Sequence, residues 1–434
     1  MRICFYTLGC KVNLNETGAL EHLFRTNGYT IVPEGENADV YVVNSCTVTN
    51  FGDQKSRKWL RRAKRENPDA VTVLTGCYPQ AFPEEAAAFM EADLVCGNGD
   101  RKAILDNVNK LLAGHERIVD VKPHEKGELF EELPVERFES HTRAFIKVED
   151  GCNRQCAYCV IPRARGRVRS RSEASILAEL RTLADAGYRE VVLSAISLPS
   201  YGQDTGTNLT ELVEKCAAVE GIERIRLGSL DPDMLTDETI ARLSRVDKLC
   251  PQFHLSLQSG CTATLRRMRR VYTAEQYLTV VEKLKAAFGE GNLSFTTDCI
   301  CGFPGESEED FAESCDFLRK VGFLKVHVFP FSRRKGTPAY DFPGQIHERA
   351  KQERSRRMNE IAEQVRCEAL AKLIGTEDTV LLENQLSGTM FTGYTRLYVP
   401  VVVSAPGYTS GQIVRVRLGE YDGSRVKAEL VGSD

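Results

Sequence analysis

The sequence predicts an α/β chain in three parts: a parallel α/β layer over residues 1–125, a partial (β/α)6 barrel over 140–372, and a small all-β barrel over 376–434. Three observations carry this expectation. Apolar strand-like runs alternate with helical runs from the N-terminus onward. From Arg143 the same rhythm repeats six times with short loops. After Gly375 the period falls to two, in short runs separated by Gly, Pro or Asn. Strands that alternate with helices form parallel sheets, whereas many short strands in succession close into barrels.

Taken in order, residues 2–7 read as a strand and 16–25 as a helix. Residues 40–44 form a buried strand, 50–65 a basic helix and 71–75 another strand, with helical stretches near 83–90 and 103–112. Residues 114–142 are irregular and rich in acids, and read as a linker. Barrel strands are expected at 143–149, 189–194, 223–229, 252–258, 293–300 and 324–330, with helices at 172–186, 208–219, 236–244, 273–287 and 307–320. A long charged helix covers 346–373. Five strands follow, at 379–383, 389–392, 397–403, 413–418 and 425–431.

A chain of 434 residues exceeds one core, and 42% apolar with 27% charged residues is ordinary for a globular protein. The start shows no basic segment leading into a long apolar one, and no apolar run approaches ~20 residues. The expectation is a cytoplasmic chain with no membrane partner. Fifteen cysteines in a reducing compartment point to metal or cluster binding, not to a disulfide scaffold. The net charge of −4 argues against general coating by nucleic acid, so the placement of charge matters more than its sum.

Three basic runs stand out. Seven basic residues and no acid lie between Lys55 and Arg65. Arg163, Arg165, Arg167, Arg169 and Arg171 alternate, and Arg266, Arg267, Arg269 and Arg270 form a third group. Any one run reads as a solvated face. Three of them beside chemically loaded segments point to a polyanion such as a nucleic acid, with Lys55, Arg57, Lys58, Arg61, Arg62, Arg163, Arg165 and Arg167 as candidate contacts.

The chemically loaded segment is Gly151-Cys152-Asn153-Arg154-Gln155-Cys156-Ala157-Tyr158-Cys159, three cysteines at C-x3-C-x2-C spacing after the first barrel strand. Three thiolates this close suit three irons of a four-iron cluster and leave the fourth without a local protein ligand. An open metal position is how such sites act on substrates. The alternatives are a structural zinc loop with a distant fourth ligand, or plain buried thiols. Zinc loops usually bring two C-x2-4-C pairs, and no second pair occurs.

Three further cysteines fall just past predicted strand ends: Cys10 in Leu8-Gly9-Cys10-Lys11, Cys46 in Asn44-Ser45-Cys46-Thr47, and Cys77 in Gly76-Cys77-Tyr78. In an open parallel sheet the carboxyl ends of the strands share one edge, so these thiols are expected to meet. Read singly, each is a small buried hydrophobe. In the barrel, His254, Ser256 and Gln258 share one face of their strand and Phe253, Leu255 and Leu257 the other. That pattern suits either a polar lumen or a half-solvated strand. Gly302-Phe303-Pro304-Gly305 either approaches a ligand or simply turns the chain.

These strings resemble the radical S-adenosylmethionine (AdoMet) methylthiotransferases. The resemblance rests on Gly151 to Pro162 followed by Arg165-Gly166 and Arg169-Ser170-Arg171, on the three N-terminal cysteine strings, on His254 to Gly260, and on Cys299 to Glu306. The tail Thr47-Val48-Thr49-Asn50 with Lys55-Ser56-Arg57 is most similar to the branch acting on threonylcarbamoyladenosine in tRNA. The resemblance implies one [4Fe-4S] cluster on Cys152, Cys156 and Cys159 and a second on Cys10, Cys46 and Cys77. It implies AdoMet contacts at Tyr158, Ser229, Asp231, Gln258 and Gly302, and no catalytic side chain beyond the cofactors. It also implies an RNA-binding C-terminal barrel of the TRAM type, where Phe391, Tyr394, Arg396 and Tyr398 are candidates; on composition alone that barrel reads equally as a cap. The expected partners are tRNA, a flavodoxin- or ferredoxin-like electron donor and a sulfur source. Two strings depart from the family pattern, Ser194-Ala195-Ile196-Ser197 and Asp231-Pro232. The rival readings are the same chemistry on isopentenyladenosine or on a ribosomal-protein aspartate, and a non-catalytic iron–sulfur RNA-binding protein.

Overall fold

The computed structural model describes residues 1–133 and 142–432. Six parallel strands open the chain: β1 (Arg2–Thr7), β2 (Thr30–Val32), β3 (Val40–Ser45), β4 (Val71–Gly76), β5 (Leu94–Cys96) and β6 (Ile118–Asp120), in sheet order β2-β1-β3-β4-β5-β6. The β3 and β4 strands are buried along their whole length, which explains their continuous apolar sequences. The β6 strand lies inside the stretch expected to be a linker. Residues 118–120 add to the sheet, the Gln80 side chain donates to the Lys122 carbonyl at 2.8 Å, and Glu131 pairs with Arg101. A three-residue edge strand is too short to show a period. The Pro134 end of that expected linker lies outside the described residues.

The central part holds β7 (Ala144–Asp150), β8 (Arg169–Ser170), β9 (Glu190–Ala195), β10 (Arg224–Leu227), β11 (Ser229–Leu230), β12 (Gln252–Leu255), β13 (Ser294–Cys301) and β14 (Lys325–Pro330). Apart from the short antiparallel β8, neighbouring strands run parallel. The sheet breaks between β10 and β11 into two four-stranded halves, β10-β9-β7-β8 and β11-β12-β13-β14. Helices on the outside complete the partial barrel. Two of these helices start on capping boxes, Thr273 with Gln276 and Ser307 with Asp310. After the helix Glu348–Ala371, strands β15 (Glu377–Ser387), β16 (Met390–Thr395), β17 (Pro400–Ser404), β18 (Ile413–Tyr421) and β19 (Val426–Leu430) close into a barrel. Among the described residues no helix is long and apolar enough to cross a membrane.

Buried charge joins the parts. Glu16, on the helix Lys11–Thr26, pairs with Lys147 of β7 at 2.8 Å and with Arg165. The loop after β3 docks on the loop after β14: Arg334 pairs with Asp53 at 2.7 Å and donates to the Thr47 hydroxyl at 2.6 Å, and Asn50 donates to the Arg333 carbonyl at 3.1 Å. The C-terminal barrel sits on a cluster around Glu190, which meets Arg226 at 2.7 Å and Arg224 at 3.2 Å. Both arginines also donate to the barrel, Arg226 to the Thr395 carbonyl at 2.6 Å and Arg224 to the Thr379 hydroxyl at 2.6 Å. Burial alone would raise the Glu190 carboxyl, but Arg226, Arg224 and Arg143 hold it below the usual carboxylate range.

Candidate metal centres and substrate cavity

Cys10, Cys46 and Cys77 follow β1, β3 and β4, which are adjacent in the sheet. Cys10 caps the helix Lys11–Thr26 and Cys77 opens the helix Cys77–Ala81, so two of the three stand at helix N-termini. The approach is close: a Cβ on Gly9 would lie 2.9 Å from the Cys46 Cβ. Burial, and then the neighbouring Cys77 sulfur, push the Cys46 thiol up to about 12. Burial also raises Cys77, against the pull of Arg165, whose Nε donates to its Sγ at 3.2 Å.

Cys152, Cys156 and Cys159 occupy the loop after β7, at the carboxyl edge of the barrel. The Arg154 amide donates to the Cys152 Sγ at 3.4 Å, and Arg270 Nη1 donates to the Cys156 Sγ at 3.2 Å. Burial and the charge of Cys156 push Cys159 up to about 12. The loop is seated by backbone bonds from the Ala157 amide to the Met268 carbonyl at 2.9 Å and from the Ala339 amide to the Ala157 carbonyl at 2.8 Å.

Three thiols are the donor chemistry an iron–sulfur cluster takes, and neither trio is drawn together tightly enough for a single tetrahedral ion. A tetrahedral zinc draws its thiolates to within about 3.8 Å of one another, given ~2.3 Å Zn–S bonds. Among the described residues, the one group of three candidate ligand atoms all within 4.8 Å of one another is Cys261, Asp310 and Glu313, and neither trio qualifies. The sulfurs of each trio nonetheless feel one another's charge. Buried thiols raised as Cys46 and Cys159 are ionise only against a strongly cationic partner.

One cavity of about 910 Å³ joins Cys10 to the barrel. Its wall includes Cys10 and Lys11, Ser229, His254, Asp298 and His327 from the barrel, and Tyr394, Tyr398 and Arg425 from the C-terminal part. His254 Nδ1 lies 3.0 Å from the Thr296 hydroxyl, and burial holds the His327 imidazolium below its usual range. The alternation read along β12 holds: Phe253, Leu255 and Leu257 are in the core.

Residues 146–318 match the Radical SAM superfamily and residues 2–97 match the Uncharacterized protein family UPF0004. The threonylcarbamoyladenosine tRNA methylthiotransferase MtaB of Bacillus subtilis is 40% identical over 96% of this chain and 93% of its own length. The MtaB of Aquifex aeolicus is also 40% identical, over 96% of this chain and all of its own. The chain belongs to the radical SAM methylthiotransferases, in the MtaB branch. The tRNA-2-methylthio-N(6)-dimethylallyladenosine synthase of Finegoldia magna is 32% identical over 98% of this chain and 93% of its own. The radical S-adenosylmethionine methyltransferase TsrM of Kitasatospora setae shares the fold alone, with a TM-score of 0.58 and 14% identity over 78% of this chain and 73% of its own. The cofactors of this methylthiotransferase are two four-iron clusters and AdoMet.

The residues expected to contact AdoMet fall in different surroundings. Ser229 lines the shared cavity. Asp231 is engaged by Arg154 at 3.1 Å and by Arg270, so its carboxylate faces the arginine that also touches Cys156. Tyr158 is half-buried, its ring edge-on to Phe303. Gln258 takes a left-handed backbone, φ 67°, and bridges β13 through its amide and carbonyl. Gly302 has φ 73° and donates its amide to Glu306; a Cβ there would lie 2.6 Å from Lys351, so close helix packing already demands glycine.

Of the expected RNA contacts, Lys55, Lys58, Arg61 and Arg62 lie exposed on the helix Asn50–Glu66. Arg57 is half-buried and donates to the Tyr78 hydroxyl at 2.7 Å. Arg163 and Arg167 are exposed on a groove of about 710 Å³ whose wall includes Cys152. Arg165 is a correction: its side chain is fully buried, because Glu16 and Asp150 draw it between the N-terminal sheet and β7. Two candidates in the C-terminal barrel are also corrected. Phe391 is in that barrel's core, and Arg396 donates to the Asp247 and Leu249 carbonyls. Two polar groups escaped the sequence reading. Arg270 stands in a run that read as surface, and Lys11 had no signal beyond following Cys10.

Proposed function

We propose that this methylthiotransferase acts on tRNA in the cytoplasm and adds a methylthio group to adenine C2 of N6-threonylcarbamoyladenosine beside the anticodon. The observation that carries this reading is the shared cavity, in which Cys10 and the barrel face one space large enough for a nucleoside, with the Lys11 ammonium in its wall. Relatives named for threonylcarbamoyladenosine are up to 40% identical to this chain, against 32–34% for those named for dimethylallyladenosine. A threonylcarbamoyl group carries a carboxylate and a dimethylallyl group does not. A cation without an ion-pair partner among the described residues suits the former.

Cys152, Cys156 and Cys159 would hold the cluster that meets AdoMet, and Cys10, Cys46 and Cys77 the auxiliary one. When bound, these groups supply one-electron chemistry, the sulfur and the methyl group. The chain's own residues position and shield. Tyr158, Ser229, Asp231, Gln258 and Gly302 surround the AdoMet side, with Asp231 holding Arg270 at the Cys156 sulfur. His254 and its partner Thr296, with Asp298 and the neutral His327, form a polar wall for the base. The division into 1–125, 140–372 and 376–434 assigns sulfur delivery, AdoMet binding and tRNA grip to successive parts. A flavodoxin- or ferredoxin-like protein would deliver the electron, and a separate source the sulfur.

Nucleoside mass spectrometry of tRNA from a deletion strain tests the substrate. The methylthio-threonylcarbamoyl nucleoside should vanish and its unthiolated form accumulate; an unchanged profile refutes the assignment. The basic helix makes its own prediction. Arg61 pairs with Glu91 and Arg62 with Glu66, both on the surface, where such pairs contribute at most about 1 kcal/mol. Arg61→Glu with Arg62→Glu should therefore fold normally, weaken tRNA binding, and flatten the slope of log K against log salt by about 2. Equal slopes in a filter-binding titration would remove this helix from the tRNA surface.

A further inference from the structure

Arg165 is a buried arginine with every side of its guanidinium engaged. Its Nε donates to the Cys77 Sγ at 3.2 Å, and its Nη2 donates to Asn13 Oδ1 at 3.2 Å and to Glu16 Oε2 at 3.0 Å. Its Nη1 meets Glu16 Oε1, and also Asp150 Oδ2 at 3.3 Å. The carboxylates are held in turn: Glu16 by Arg101 at 2.5 Å and by Lys147 at 2.8 Å, and Asp150 by Lys147 at 2.6 Å. The guanidinium is thus clamped at the sulfur from both sides of the joint and fully buried, where charge is screened little.

We propose that Arg165 is a positioning residue that seats the auxiliary cluster and raises its reduction potential through the Nε–H···S bond to Cys77. The proposal rests on the reading that Cys10, Cys46 and Cys77 hold that cluster. Adding an electron makes a thiolate-bound cluster more negative. A buried cation that donates to a ligand sulfur therefore stabilises the reduced state more than the oxidised one. Arg270, tied to Asp231 and donating to the Cys156 Sγ at 3.2 Å, repeats the device on the other trio. The two arginines are therefore expected to act on separate clusters.

The test uses the full chain with Cys152, Cys156 and Cys159 replaced by alanine, reconstituted without oxygen, so that only the auxiliary cluster gives a signal. Potentiometric titration followed by electron paramagnetic resonance should place Arg165→Gln at a more negative midpoint. The expected change is roughly tenfold in the reduced-to-oxidised ratio at a fixed potential, or about 59 mV for one electron. Arg165→Lys keeps the charge and loses the planar donor, so it should move the same way by less. It also decides the matter if the glutamine variant fails to fold. Loaded clusters with an unmoved midpoint and unmoved g values in the foldable variants overturn the proposal. A parent chain that binds no iron would instead sink the cluster reading beneath it, and this inference with it.

Discussion

Replacing Cys10, Cys46 and Cys77 with alanine is expected to abolish methylthiolation of tRNA while leaving cleavage of AdoMet to methionine intact. The two trios stand on separate elements, one at the edge of β1, β3 and β4 and the other in the loop after β7. Losing the first set need not disturb the second. Iron should fall from about eight to about four per chain. Alanine at Cys152, Cys156 and Cys159 should remove both reactions, because no route to AdoMet cleavage would remain. Chromatography of AdoMet products beside tRNA nucleoside analysis reads both at once. Methylthio product from the first variant would show that Cys10, Cys46 and Cys77 do not deliver sulfur. Loss of AdoMet cleavage in that variant would mean the two sets are not independent.

Substituting Lys11 with glutamine should cost about 10- to 100-fold in kcat/KM on tRNA carrying threonylcarbamoyladenosine, with little effect on tRNA carrying isopentenyladenosine. The Lys11 ammonium lines the shared cavity and makes no ion pair among the described residues. Lys11 keeps contact with solvent, yet the protein packed around its ammonium lowers its pKa, partly opposed by Tyr398. A hydrogen bond to a charged partner in such a place contributes about 1.5–3 kcal/mol, which corresponds to that loss of rate. Because Lys11 follows Cys10, iron content must be measured beside activity. Equal losses on both tRNAs with full iron loading would assign Lys11 a structural role and remove it as the reader of the threonyl carboxylate.

Local pattern made much of this protein legible. The Cys152, Cys156 and Cys159 spacing is read within one loop, where proximity follows from separation along the chain. Strand and helix positions in the barrel came out within a few residues, because burial on one face imposes a period. Cys10, Cys46 and Cys77 were legible one step less directly, through the rule that parallel strands end on a common edge. The edge strand β6 was missed because three residues carry no period.

The arginines mark where linear reading stops. Arg163, Arg165 and Arg167 look alike along the chain, and an alternating basic run is what a surface facing a polyanion would show. In the fold Arg163 and Arg167 face solvent, while Arg165 turns inward. Its acidic partners Glu16 and Asp150 come from two domains and lie 149 and 15 residues away. Phe391 and Arg396 were expected on a surface because aromatic and basic side chains in a small barrel suit RNA, but packing buries the first and ties the second to the central part. Sequence alone determined the family and the element types this chain carries, since those show in local strings and periods along the backbone. Which charges are buried, and which thiol an arginine touches, was left to packing between parts, because the energy of a buried ion depends on partners that no local spacing encodes.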